Sequence, residues 1–574
     1  MTDPTTSILV AGAVLTLDAH DTRATALAVD DSTGRILAVG SSEDCRAAAP
    51  DATVTDLGTH VLLPGFVDAH SHPFLSGVVT QEPVHWIAPY VGFPTWKDVT
   101  DEFTRVDAAT PDGHPVFFNG VDRMLQGAPI LTADVLDRYF PTRPAVVLDN
   151  SGHLAYFNSA VIAGNGWDAT PPPDPVGGSY SRDDTGHLTG LAFETPAVLG
   201  AANVVIAEVV PHPLHSAAKW YALMARNGVT LTSEHAYDTP FLQGYEALAT
   251  RPGCPIRVGL YHMSIGDDPG AVVESSAPDM LWKQGVKLWA DGSPWVGTAA
   301  LSFPYLESEA VAAAQIPIGP SGESNMNYTR SELDGILDEF GGQGWQFAFH
   351  CNGDVGLDVV LDCYEAALER HGLLGTDHRW RVEHCGAGRG DQFDRAARIG
   401  VTISLAPFQF IYWGDLLDGQ LFPPDIGSQW QRFAAAWQAG VQPSLHNDGA
   451  VSPPIPLLNI QTAVTRTTPS GAVHGANQAL TMDQALRAHT INGARQLGRD
   501  HDLGTIEVGK LADLVELSAD PMTVDPHELT SRVEVRGTWV AGRRVDLPAF
   551  LADVQAIDPA PHRRLATADT HRCC

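Results

Sequence analysis

A His-Ser-His triplet, His70-Ser71-His72, stands at the end of the apolar run VLLPGFVD (61–68). In an extended chain residues i and i+2 project from one face, so both imidazoles reach the same point, an arrangement that suits a metal ion. One such triplet in a chain with 23 histidines is a weak signal. Four more groups strengthen it: Lys287 in VKLWADGS, His350 in FAFHCNGD, His384 in RVEHC and Asp448 in LHNDGAVSPP. Imidazole and carboxylate select zinc or a similar first-row metal. A set without cysteine favours an open catalytic site over a closed structural one.

These groups sit at the tips of apolar runs of the length of buried strands. The runs span 61–68, 228–235, 255–261, 285–291, 345–350, 379–384, 400–406 and 440–446, each followed by polar residues and a helical pattern. Eight strand-then-helix units predict an α/β fold, a TIM (β/α)8 barrel, whose reactive residues lie where strands end and βα loops begin. The gap between the first two runs exceeds what one crossover helix needs, so residues from about 75 to 212 form an insertion with its own strands (PVFFNG, PAVVLDN) and a hairpin around Ser179 to Leu191. Leaving the barrel after its first strand, this α/β insertion is expected to cap the active site. Short β patterns before residue 60 return after 500, in ADLVELSAD and SRVEVRGTWVAGRRV, so the termini are expected to build one composite β-sandwich. The expected organisation is 1–60 β, 61–499 barrel with its insertion, and 500–574 β with a frayed Arg572-Cys573-Cys574 tail.

Lys plus Arg number 35 against 68 Asp plus Glu, a formal net charge of −33. A surface this acidic repels phosphate backbones and argues against a nucleic-acid partner, but it is a solubility property that leaves the substrate open. With 44% hydrophobic and 18% charged residues, the chain is globular rather than disordered. The short apolar run Ile8 to Leu15 has no positive region ahead of it, no apolar stretch approaches the roughly 20 residues of a membrane span, and the seven cysteines contain no CxxC pair. A reduced, cytoplasmic protein with no membrane partner and no disulfide framework is expected.

In order, LLPGFVDAHSHP, SGHLAYFNS, VKLWADGSPWVGTAAL, GWQFAFHCNGD, HRWRVEHC, Tyr412-Trp413-Gly414-Asp415, DGAVSPPIPLL and LGTIEVGKLADLVELSADP resemble the amidohydrolase superfamily of metal-dependent hydrolases. More narrowly they resemble its amidohydrolase-3, YtcJ-like branch, which includes N-substituted formamide deformylases. The resemblance implies that His70, His72 and Asp448 hold one metal, that His350 and His384 hold a second, and that Lys287 bridges them as a carbamate. An ordinary salt-bridging lysine and a one-metal site are the alternatives. It further implies zinc, with Mn, Co or Fe as alternatives, a metal-bridged hydroxide that attacks the carbonyl, Asp448 as proton shuttle, a homodimer, and a small amide substrate, an N-substituted formamide first among them. An imide, carbamate, lactam or N-acyl amino acid hydrolase, a metal-dependent decarboxylase or lyase, and a non-catalytic binding protein on a degenerate barrel are the competing readings.

His153, in the SGH segment, either reaches the substrate carbonyl or is structural. Trp289, Trp295, Tyr412 and Trp413 either wall the substrate pocket or pack. Glu383 and Asp291 adjoin ligands in sequence and so face away, into supporting or core roles. Glu234, His235 and His446 have open roles; His446, two residues before Asp448, departs from the Ser-Asp type of sequence more usual in this region of the family.

Overall fold

The computed structural model describes residues 6–175 and 178–557; the Arg572-Cys573-Cys574 end lies outside them. Eight parallel strands form the central sheet: β1 (Phe66–Ser71), β2 (Val229–Tyr237), β3 (Arg257–Met263), β4 (Leu281–Trp289), β5 (Gln346–Cys351), β6 (Arg381–His384), β7 (Thr402–Leu405) and β8 (Ser444–Leu445). Each pairs with the next in sequence, the order a βα barrel requires. The strands carry side chains buried on both faces, which is why they read as nearly continuous apolar runs. The seam between β8 and β1 is drawn together by the His70 carbonyl, which accepts from the Asp448 N–H at 3.1 Å, and by the His72 N–H, which donates to the Gly449 carbonyl at 3.1 Å. Val67, Leu231, Tyr261 and Ala348 fill part of the interior and meet Ala494 and Leu497. The barrel is packed rather than porous.

The first apolar run is divided, where the sequence predicts one barrel strand over 61–68. Val61–Pro64 joins a different sheet and only Phe66 onward enters the barrel. The break falls at Gly65, where a Cβ would lie 2.2 Å from Thr230 Oγ1, so only glycine passes this close to β2.

Strands from both termini form a single eight-stranded sheet. Its hydrogen-bonded order runs Arg543–Arg544, Val535–Val540, Leu514–Leu517, Val61–Pro64, Thr6–Leu15, Arg23–Asp30 and Arg35–Gly40, with Thr53–Asp56 paired to the first half of Thr6–Leu15. Val14, Leu27, Val29, Leu62, Leu514 and Trp539 share one apolar cluster, so the two ends of the chain bury each other. Arg257 of β3 makes a buried two-bonded pair with Asp513, at 2.7 and 3.0 Å, tying this sheet to the barrel.

Between β1 and β2 lies a six-stranded sheet whose strands include Val116–Val121, Ala145–Asp149, Leu154–Phe157 and the hairpin Ser179–Arg182/Leu188–Phe193. It has its own aromatic core around Phe103, Phe118 and Phe140. It touches the barrel through Tyr90, stacked on Tyr412 with centroids 4.1 Å apart, and through Asp122, whose Oδ2 accepts from Trp413 Nε1 at 2.8 Å. Among the described residues no single helix is long and apolar enough to cross a membrane.

Candidate metal centre

His70 ends β1 and His72 caps the helix Pro73–Thr80 that follows it, and both turn their Nε2 atoms toward one carboxylate oxygen. Asp448 Oδ1 lies 3.4 Å from His70 Nε2 and 3.5 Å from His72 Nε2. The three ligand atoms fall within 4.8 Å of one another, as a single ion requires. The opposite nitrogens are both held: His70 Nδ1 by Glu383 Oε2 at 2.9 Å and His72 Nδ1 by Glu234 Oε1 at 3.0 Å. A carboxylate on Nδ1 keeps the proton there and leaves Nε2 as a lone pair, the form in which histidine binds metal. The donor set therefore fits a divalent ion. Burial pushes the His70 pKa well down. Burial also lowers that of His72, but its bonds to Asp448 and Glu234 outweigh this and raise it to about 9.

The other predicted residues converge on the same place. Lys287, at the end of β4 and 1% exposed, puts Nζ 3.4 Å from His70 Nε2; burial brings its pKa down to about 8. An amine with that pKa is partly unprotonated near neutrality, the form that reacts with CO2. His350 and His384, from β5 and β6, bring their rings to 4.6 Å, and the ring of His384 lies 4.9 Å from that of His70. His350 directs Nε2 to the Gly292 carbonyl at 3.0 Å, which leaves its Nδ1 for another partner. His384 and Asp448 adopt left-handed backbone conformations, φ 70° and 52°, which are costly for non-glycine residues and typical of functional sites. The Gln431 amide donating to the His384 carbonyl at 3.0 Å helps hold the strained turn.

His153 enters from the six-stranded insertion. Its Nδ1 pairs with Glu194 Oε2 at 2.7 Å and its ring stands 5.2 Å from that of His350. Burial lowers its pKa, yet Glu194 more than compensates, and the net shift is upward. Tyr412 is half-buried against Tyr90. Trp413 is fully buried, its N–H committed to Asp122 and its ring stacked on Trp295 at 4.5 Å, so this pair packs together away from solvent. Trp289 lies with its ring 5.5 Å from Lys287 Nζ.

Three groups with open roles in the sequence find partners here. Glu234 orients His72, His235 stacks on His70 at 3.9 Å, and His446 places Nε2 3.1 Å from His384 Nδ1. Asp291 accepts from the backbone N–H groups of Ala300, Asn352 and Gly353, which makes it a scaffold for the loops after β4 and β5. Sequence reasoning missed Arg381, which grips Glu383 and also donates to the Ala69 carbonyl at 2.9 Å. It also missed Glu194. The available signal for Arg381 was a charge inside an otherwise buried strand, two residues before Glu383.

Residues 53–546 match the profile of a family described as the amidohydrolase family. The chain is 28% identical over 564 residues to the N-substituted formamide deformylase of Arthrobacter pascens, covering 94% of this chain and 98% of that protein. It is 25% identical over 562 residues to the putative amidohydrolase YtcJ of Bacillus subtilis, covering 93% and 98%. In fold it is similar to an uncharacterised metal-dependent hydrolase from Pyrococcus horikoshii, with a TM-score of 0.69, 22% identity and coverage of 91% and 99%.

Proposed function

The chain belongs to the amidohydrolase family and is a metal-dependent hydrolase of carbon–nitrogen bonds; we propose that its substrate is a small N-substituted amide, with an N-substituted formamide the first choice. The observation that carries the reading is the pair of Nε2 atoms, of His70 and His72, that converge on one oxygen of Asp448 while carboxylates hold both Nδ1 atoms. The formamide preference is supported by likeness to a formamide deformylase along nearly the whole chain.

His70, His72 and Asp448 would hold one divalent ion and His350 with His384 a second, with Lys287 joining them after carboxylation. Zinc suits these donors best, with Mn, Co or Fe as alternatives. Such ions supply Lewis acidity toward a carbonyl and make water acidic enough to lose a proton at neutral pH. Asp448 would take a proton from the attacking water and return it to the departing nitrogen, so that a formamide and water would give formate and an amine. His153, held by Glu194 and with its ring 5.2 Å from that of His350, would meet the substrate carbonyl oxygen. The insertion serves as a cap that limits water, docked by the Tyr90–Tyr412 stack and the Asp122–Trp413 hydrogen bond.

The test is a screen of zinc-loaded protein against formamides, larger amides, carbamates and lactams for release of amine and acid, run alongside Asp448→Asn. Turnover of a formamide by wild type, reduced at least ~100-fold in the variant with metal retained, is the expected result. Turnover unaffected by Asp448→Asn removes its proton-carrying role. Turnover confined to another class removes the formamide.

A further inference from the structure

A groove of about 570 Å3 opens where three parts of the chain meet: the barrel helices Pro73–Thr80 and Pro213–Arg226, the strand His85–Trp86 of the insertion, and the C-terminal helix Leu547–Gln555. Its size falls in the range of small-molecule sites, about 300–1,000 Å3. His72 caps one end of Pro73–Thr80, and Thr80, at the other end, forms part of the groove wall. Eight residues of helix put about 12 Å between them, so the groove is separate from the metal centre.

Val84, Trp86, Leu223 and Leu551 give the groove an apolar lining. Lys219, Leu223 and Arg226 stand at i, i+4 and i+7 of Pro213–Arg226, so two cations flank an apolar centre on one stripe of that helix. Among the described residues neither cation has a carboxylate within ion-pair distance; Lys219 Nζ donates to the Glu82 backbone carbonyl at 3.3 Å. With 68 acidic side chains against 35 basic ones, this is not for want of carboxylates. Those in the groove are placed otherwise. Glu102 is held by Arg105 at 2.6 and 2.7 Å and by His85 at 3.3 Å, and Glu82 is exposed and unpaired. Burial lowers the His85 pKa, so this ring adds no charge at neutral pH. Two free cations against one free carboxylate leave a single net positive charge. Trp86 Nε1 is buried with no partner among the described residues, and an indole N–H can only donate. Apart from the exposed Glu82, the unmet groups all call for an acceptor or an anion, and the walls call for hydrocarbon.

We propose that this groove is a binding site for a small monoanion with an apolar body, an aryl or alkyl carboxylate. The carboxylate lies between Lys219 and Arg226, and the body lies against Trp86, Leu223 and Leu551. A purely polar anion leaves the apolar walls uncovered, and an amine meets two like charges. The assignment stands independently of the metal reading.

The test titrates 4-fluorophenylacetate into the full-length zinc-treated protein and follows binding by 19F NMR line broadening. Saturable binding is expected, weakened by added KCl and weakened about 3–5-fold by each of Lys219→Gln and Arg226→Gln. Lys219→Arg, which keeps the charge, is expected to retain it. Inorganic phosphate is expected to compete at least ~10-fold more weakly, since it buries no ring. 4-Fluorophenethylamine is expected not to compete. Binding is expected to survive chelation of the zinc. Wild type without saturable binding overturns the proposal, whatever the variants do. So does phosphate or the amine competing as well as the arylacetate itself. Binding that disappears on chelation and is unchanged in both glutamine variants places the carboxylate at the metals and overturns it too.

Discussion

Replacing Lys287 by methionine is expected to stabilise the metal-free protein while removing its function. The ammonium is buried, with Nζ 3.4 Å from a histidine nitrogen, and burial brings its pKa from 10.5 to about 8 despite the opposing pull of Glu383 and Asp448. At 1.36 kcal/mol per unit, that depression corresponds to a folding penalty of about 3 kcal/mol at neutral pH. Methionine fills a similar volume with no charge to desolvate, so Lys287→Met should recover most of this. The pH dependence has a definite sign. A lysine with a depressed folded pKa destabilises the fold throughout the range below it, and the penalty fades as pH climbs from about 8 toward 10.5, where the unfolded chain also gives up its proton. Chemical denaturation of both proteins in CO2-free, chelator-treated buffer at several pH values measures the difference. A variant no more stable than wild type near pH 7, or a difference that does not shrink in alkali, refutes the account of Lys287 as a strained buried cation. The same variant should bind less zinc and show no turnover.

Glu234→Gln weakens the hold on His72 Nδ1, at 3.0 Å, and is expected to lower zinc affinity about 10–100-fold in chelator competition; unchanged affinity counts against its orienting role. Trp413→Phe leaves the buried Asp122 Oδ2 without its 2.8 Å partner and is expected to cost about 1–3 kcal/mol in denaturation; a cost near zero means that this bond does not help dock the insertion. His474 bonds Asp418 and Asp415 at 2.7 and 2.8 Å; burial lowers its pKa, the two carboxylates raise it more, and the net shift is upward. Its contribution to stability is thus full below the unfolded value of 6.5 and lost as pH rises through the folded one, so His474→Ala should lower the thermal midpoint more at about pH 6 than at about pH 9. An equal drop at both values contradicts the pairing.

The barrel was legible because a parallel strand covered on both faces must be apolar along its length, and a polar group then stands out at its tip. His70, Lys287, His350 and His384 were found that way, and the structure brings them together with Asp448. The division of 61–68 was not legible, because Val61–Pro64 and Phe66 onward are equally apolar and only the approach of Thr230 to Gly65 separates them. Partners were also hidden. Glu234 meets His72 across 162 residues and Trp413 meets Asp122 across 291, and nothing local encodes either pairing. The left-handed turns at His384 and Asp448 left no trace, since neither is glycine or asparagine. What local sequence shows is which face of an element is buried. What it hides is which distant group completes a polar atom's hydrogen bonds.

The strain at this centre is concentrated where the barrel closes. His70 and Asp448 each offer an atom to the candidate ligand set, and the same two residues join β1 to β8 through the His70 carbonyl and the Asp448 N–H. The Asn447 N–H adds a bond to Asp68 Oδ1 at 2.9 Å in the same seam. Among the described residues Asp68 Oδ2 has no partner, and burial raises that carboxyl to about 7, so this join is not fully satisfied in its own right. A positive φ at Asp448, a buried lysine beside His70 and an unmet carboxylate oxygen all lie along one line of contact. Any ion held by His70, His72 and Asp448 would clasp the barrel at the join of β1 and β8, and its binding energy would add to the stability of the fold. Ligand geometry and barrel closure are a single structural problem in this protein, solved by the same few residues.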